Sequence, residues 1–215
     1  MKLAGICKKY SATLIILLIV GAASNSLAFD PAGFREMKTT GPHRCVGCDL
    51  SGMDIEGWEM DHAVLRNSNL QHANLTHVEF EDADLSGADF RDAKVFQVVF
   101  TGANLSTANL SKQDISASTL SNVNLRGANL REANLTEAFL QGVDLSGTDL
   151  HQAICRRVTF RNSNLRNANL SNADMSDTDL RGANMKGVNL KGADLSGATW
   201  TDGRKCKSGS IGECR

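Results

Sequence analysis

Cys45-Val46-Gly47-Cys48 has the spacing of a dithiol redox motif, and His43 beside it adds a third donor of the kind zinc takes. A thioredoxin-like dithiol needs a strand-helix-strand surrounding, which this sequence lacks, and no second cysteine pair nearby completes a zinc site. A second cluster is acidic. Glu59 and Asp61 recur twenty residues later as Glu79 and Glu81, with His62 and Asp82 alongside. If residues twenty apart lie together, four carboxylates meet, and oxygen ligands at that density suit calcium. The plainer reading, preferred here, is a solvated acidic face. The five histidines show no ligand spacing, and no Ser-His-Asp set or catalytic carboxylate pair emerges. The expectation is a protein that is not an enzyme and carries no cofactor.

These side chains must be positioned by a strongly periodic frame. From Cys48 to Asp202 every fifth residue is apolar: Leu50, Ile55, Met60, Leu65 and so on through Phe160 and Leu195 to Trp200. All 31 such positions obey the rule, 19 of them with Leu, and no insertion shifts the phase. Two residues earlier stands a small side chain, usually Ala as in Ala83 and Ala128, and between the two lies mostly Asn or Asp. A period of five matches neither a helix face nor an alternating strand. It matches a coil that turns a corner every five residues, with Leu on the axis, Ala inward where only a small group fits, and three residues facing water. Gly at the last position, as in Gly87 and Gly147, would allow a positive φ at the corner, and Asn or Asp can hydrogen-bond the turn backbone.

Quintets such as Ala83-Asp84-Leu85-Ser86-Gly87 and Ala128-Asn129-Leu130-Arg131-Glu132 resemble those of the pentapeptide-repeat family. The resemblance implies an all-β fold, a right-handed quadrilateral β-helix with four quintets per coil. That gives nearly eight coils over residues 48–202 and a rod roughly 37 Å long at the ~4.8 Å spacing of strands. Residues twenty apart then stack. Met60, Phe80, Phe100, Leu120, Leu140, Phe160, Leu180 and Trp200 share one column, and Cys155, between Leu135 and Met175, reads as a buried packing thiol. The resemblance also carries a functional alternative, because some members mimic duplex DNA and bind DNA gyrase.

A β-helix needs its open ends covered, and residues 29–47 and 203–215 fall outside the frame as the natural covers. Cys45 and Cys48 flank the first coil, and Cys206 and Cys214 follow the last. Four cysteines allow three pairings, but the rod holds its ends roughly 37 Å apart and a disulfide needs Cα atoms within about 7 Å. Local pairs remain: Cys45 with Cys48, and Cys206 with Cys214.

Lys2, Lys8 and Lys9 precede an apolar run from about Ala12 to Ala23 and the small-residue pattern Ser26-Leu27-Ala28. This is the pattern of a secretory signal peptide over residues 1–28 cleaved after Ala28, so the expected location is periplasmic or secreted, without stable membrane insertion after cleavage. Cleavage removes three lysines and no acids, which moves the formal charge from -1 to -4. An acidic exported chain is not expected to bind nucleic acid.

Charge is uneven along the repeats: residues 48–92 hold 11 acids against two bases, and residues 93–202 hold 10 acids against 11 bases. Phe96 and Val99 break the polar outward pattern, and Phe139 takes an outward slot two coils above Val99. Together they form an apolar strip of the kind that marks a contact surface. Arg156, Arg157, Arg161 and Arg166 cluster later, with Asp177 stacked over Arg157 as its expected balance. The functional expectation is a non-enzymatic exported scaffold that presents flat faces to a protein, to a cell-envelope component or to a second copy of itself. A calcium-binding or thiol-redox protein is the further alternative.

Overall fold

Each quintet makes one short extended step and one turn. The carbonyl of the axial residue accepts the N–H three residues on, as Met60 does from Ala63 at 3.1 Å and Leu125 from Ala128 at 3.0 Å. The third residue of the turn has positive φ, which marks a type II turn. Glycine suits that corner, yet Asn67, Thr107, Ala117 and Arg157 adopt it too, with φ between 53° and 57°. Each such residue costs ~1 kcal/mol, so the coil-to-coil ladder overrides local preference. Asn and Asp are frequent before the axial residue because their Oδ1 caps the turn. Ser51 donates its N–H to Asp49 Oδ1 at 3.1 Å, Gln71 to Asn69 at 3.1 Å and Ser146 to Asp144 at 2.9 Å.

The computed structural model describes residues 43–215. The expected signal peptide and the amino-terminal cover as far as residue 42 lie outside the described residues. Every parallel bridge joins a residue to the one twenty ahead, from Arg44↔Val64 to Asp179↔Thr199. The square coil therefore has four faces. Arg44, Val64, Asp84, Asn104 and Asn124 begin the first, and Asp49, Asn69, Asp89, Asn109 and Asn129 the second. Asp54, Asn74 and Lys94 begin the third, and Glu59, Glu79, Val99, Thr119, Phe139, Thr159 and Asp179 run up the fourth. Among the described residues no helix is long and apolar enough to cross a membrane.

The axial side chains fill the interior. Leu65, Leu105, Leu130, Leu150 and Cys155 are all fully buried, and Phe80, Phe90 and Phe100 form an aromatic segment. Phe80 stacks on Phe100 with centroids 5.6 Å apart, and Phe90 meets Phe100 edge-on at 6.2 Å.

The coil begins earlier than the apolar frame suggests, since Arg44 already pairs with Val64. Cys45 is fully buried and Cys48 nearly so, both in inward positions of the frame, with Cα atoms at the disulfide distance of 5.6 Å. Met53 and Trp58 occupy the small inward slot of this first turn and are only partly buried. Bulk is tolerated there because no described coil lies beneath. At the other end the tail reverses across the last coil, with antiparallel bridges Asp194↔Ile211 and Thr199↔Lys205. Cys206 and Cys214 also sit at disulfide distance, 4.8 Å between Cα atoms.

One step of the ladder is missing. No bridge joins Lys94 to Asp114, and the expected amide bonds from Val95 to Asp114 and from Asp114 to Ala93 are not made. Gln113 explains it. It occupies the inward slot that holds Ala93 below and Ala133 above, yet it is buried to 4% exposure with a single long 3.5 Å bond to Ser111 O. An amide side chain in a methyl-sized space pushes the strands apart on the third face. Ser118, one corner on, is buried with no partner for its Oγ. Gln113→Ala should close the step and raise stability by about 1–2 kcal/mol. Slower amide exchange at Val95 and Asp114 checks this, and unchanged exchange would mean that Gln113 is not the wedge.

Candidate interaction face

Three of the four faces are built mainly from the turn-capping Asn and Asp, which also stack into ladders. Asn69 donates to Asp49 at 3.0 Å, Asn129 to Asn109 at 3.1 Å, Asn134 to Asp114 at 3.1 Å and Asn169 to Asp149 at 2.9 Å. The fourth face departs from this. Val99, Thr119, Phe139 and Thr159 follow one another at its centre and cap no turn. A run of positions that gives up a recurring local hydrogen bond for surface β-branched and aromatic groups is where a repeat sequence signals something besides folding.

Phe139 is 59% exposed and Phe96 46%, while Val99 is half-buried. Phe96 projects from the corner between the third and fourth faces, beside the missing ladder step. The expected apolar strip is thus assembled on one face and its edge. Thr119 and Thr159 complete the row, and hydropathy does not mark them because threonine reads as polar. Ile154, 41% exposed, stands in the central row of the third face and not in this strip.

The acidic cluster is arranged differently from the calcium expectation. Glu59 pairs with Glu79 on the fourth face, whereas Asp61, His62, Glu81 and Asp82 lie around the corner. Asp61 Oδ1 accepts the Glu81 N–H at 2.9 Å, and His62 Nδ1 approaches Asp82 Oδ2 at 3.9 Å. Among the described residues no group of three or more His, Cys, Asp or Glu side chains is placed to hold a metal ion. The cause is directional: side chains flanking a corner point apart. Cys155 is fully buried, and burial, with Asp174 nearby, pushes its thiol well above the ordinary range, so it packs as an inert group.

The arginine cluster is also wired differently. Arg157 bonds Glu137, one coil below, at 3.1 Å, in place of Asp177 above. Arg156 pairs with Asp174, and Arg181 holds Asp179 through two nitrogens. Arg161 and Arg166 make no ion pair among the described residues. Partial burial pushes Asp89, Asp149 and Asp174 upward, but charged and backbone hydrogen bonds outweigh it and hold all three below the ordinary carboxylate value. At Asp179 the hydrogen bonds from Arg181 lead in the same direction. Carboxylates depressed in the fold stabilise it above their unfolded pKa, and that contribution is lost as pH falls through the folded values. The melting temperature should therefore hold steady down to about pH 4 and fall below it, with a shallower fall in an Arg156→Gln/Arg181→Gln variant. A melting temperature independent of pH below that point would refute these pairings.

The comparisons with known proteins agree with the geometry. The pentapeptide repeat region matches residues 59–130 and 93–170, and pentapeptide repeats match residues 153–192 and 163–202, so well over half of the chain is covered. The chain belongs to the pentapeptide-repeat family. Its coil is accordingly the right-handed quadrilateral β-helix expected from the sequence. The pentapeptide-repeat chain is similar to HetL of the cyanobacterium Nostoc sp. strain PCC 7120, involved in heterocyst differentiation regulation. The two are 23% identical over 88% of this chain and 97% of that one, with a TM-score of 0.31. QnrB1, a plasmid-mediated fluoroquinolone resistance protein, is 21% identical over 72% and 76% of the two chains, with a TM-score of 0.46. A pentapeptide repeat protein of the Arabidopsis thaliana thylakoid lumen is 29% identical over 55% and 69%, with a TM-score of 0.23. No curated protein matches the chain in sequence.

Proposed function

We propose that this pentapeptide-repeat protein is a non-enzymatic exported scaffold, periplasmic or secreted, that binds a protein or cell-envelope component through its fourth face. The observation that carries the reading is the central row Val99-Thr119-Phe139-Thr159 with Phe96 at its edge, where capping Asn and Asp give way to apolar and β-branched groups, Phe96, Thr119 and Phe139 exposed and Val99 and Thr159 half-buried. A flat ladder presents such a row without entropic cost for ordering a loop.

Two further features support a scaffold. The interior is filled by side chains from coil to coil, and the one free thiol among the described residues, Cys155, is buried and hard to ionise. Cys45 and Cys48, the redox-like pair, lie in the buried first coil, where a staple belongs and where a reducible dithiol would be shielded. The test is cross-linking in envelope extract with wild type beside Phe96→Ser/Phe139→Ser. Loss of the cross-linked species in the folded double variant is expected, and an unchanged pattern would refute this face as the binding surface.

A further inference from the structure

The fourth face and its two corners carry charge in a definite order. Residues 56–62 and 76–82 hold Glu56, Glu59, Asp61, Glu79, Glu81 and Asp82, with no Lys or Arg. Residues 96–102 and 116–122 hold no Asp, Glu, Lys or Arg at all, and there the apolar row begins. Residues 156–162 hold Arg156, Arg157 and Arg161 with no acid. Along the fourth face and its two corners the charge thus runs acidic, then apolar, then basic at residues 156–162, with Glu137 of the apolar stretch paired to Arg157 and with Asp177, Asp179 and Arg181 following. The central row from Glu59 to Asp179 keeps unbroken twenty-residue register.

We infer that the occupant of this face is a second copy of the chain, packed antiparallel about a two-fold axis at Thr119. The inference rests on the scaffold reading of the fourth face and names its partner. Antiparallel face-to-face pairing keeps each corner on its own side and inverts the order of coils. Val99 then meets Phe139 of the partner subunit, Thr119 meets its own equivalent, and Glu81 meets Arg161 of the partner subunit. Each contact occurs twice, as an isologous interface requires. Parallel pairing would set every acidic coil against its own copy, whereas the antiparallel axis opposes acids in that row only where Glu59 meets Asp179 of the partner subunit, so the parallel mode is disfavoured.

Two features single out Glu81 and Arg161. Both sit at the corner between the fourth and first faces, forty residues either side of Ser121, so the axis superposes them. Neither makes an ion pair within its own chain among the described residues, although Arg161 lies close enough to Asp179 to help hold that carboxylate ionised, whereas Arg156, Arg157 and Arg181 all do. The apolar contact spans only two coil steps on each side, roughly 10 Å, so the dimer is modest in area and sensitive to salt.

Sedimentation velocity over micromolar to millimolar concentrations tests this. Wild type should associate to a dimer that dissociates with added salt. Phe139→Asp should weaken association at least tenfold, about 1.4 kcal/mol. Glu81→Arg and Arg161→Glu should each weaken it by about tenfold. The double variant Glu81→Arg/Arg161→Glu should restore it to within about threefold of wild type, because only the antiparallel register brings those two positions together. Wild type that stays monomeric at every concentration, or a double variant no better than the singles, overturns the proposal. Unchanged melting temperatures keep these surface variants interpretable. A monomer that still loses its envelope cross-link in Phe96→Ser/Phe139→Ser would sink self-pairing alone, while an unchanged cross-link would sink the binding face as well.

Discussion

Phe100→Ala is expected to destabilise the protein by about 3–5 kcal/mol. Phe100 is fully buried, stacked 5.6 Å from Phe80 and edge-on to Phe90 at 6.2 Å. Its backbone is held on both sides, with its N–H bonded to Thr119 O at 3.0 Å and its carbonyl accepting from Ala103 at 2.9 Å. The walls of the cavity therefore cannot close as they would around a loosely held helix, and the cost stays near the upper end for a large-to-small change. Phe100→Leu should cost under about 1.5 kcal/mol, because Leu120 and Leu140 already fill the same column. Chemical denaturation of the two variants separates the cases. A loss below about 1 kcal/mol for the alanine variant would show that the square coil collapses freely.

Cys206→Ser/Cys214→Ser should cost about 2–3 kcal/mol, the entropy of a loop of this length, and the loss should be local. Tail and last coil are joined by amide bonds from Leu195 to Ser210 at 2.8 Å, from Cys206 to Ala198 at 2.9 Å and from Gly212 to Ala193 at 2.8 Å. In a solenoid each coil touches only its neighbours, so releasing one end frays that end first. Amide exchange at Leu195, Cys206 and Gly212 should accelerate roughly 30- to 150-fold, while Leu125 and Leu130 keep wild-type protection. Uniform acceleration along the rod would contradict nearest-neighbour behaviour. The Cys45–Cys48 pair spans three residues, closes a shorter loop, and should matter less.

The invariant quintet made the architecture legible in advance. Because no residue is inserted between Leu50 and Trp200, each coil has the same length, and column membership is arithmetic: Phe80 and Phe100 had to stack, and Val99 and Phe139 had to share a face. The local pairing of Cys206 with Cys214 followed from the length of the rod. Such statements need only backbone periodicity.

What arithmetic misses depends on side-chain reach and volume. Arg157 has acids one coil above and one coil below, and only the folded positions show that Glu137 is the one it bonds. By number Glu59 stacks on Glu79, Asp61 on Glu81 and His62 on Asp82, yet a corner separates the first pair from the others and no metal-holding group forms among the described residues. Gln113 obeys the five-residue rhythm and still breaks a ladder step, because its amide exceeds the space its slot allows. By itself, then, the sequence determined the coil, its columns and the staple at the carboxy-terminal end, since a constant period leaves the backbone one way to wind. Only the tertiary structure decided which surface groups converge, as Arg157 does on Glu137 and the acidic cluster does not, because that depends on where side chains point after each turn.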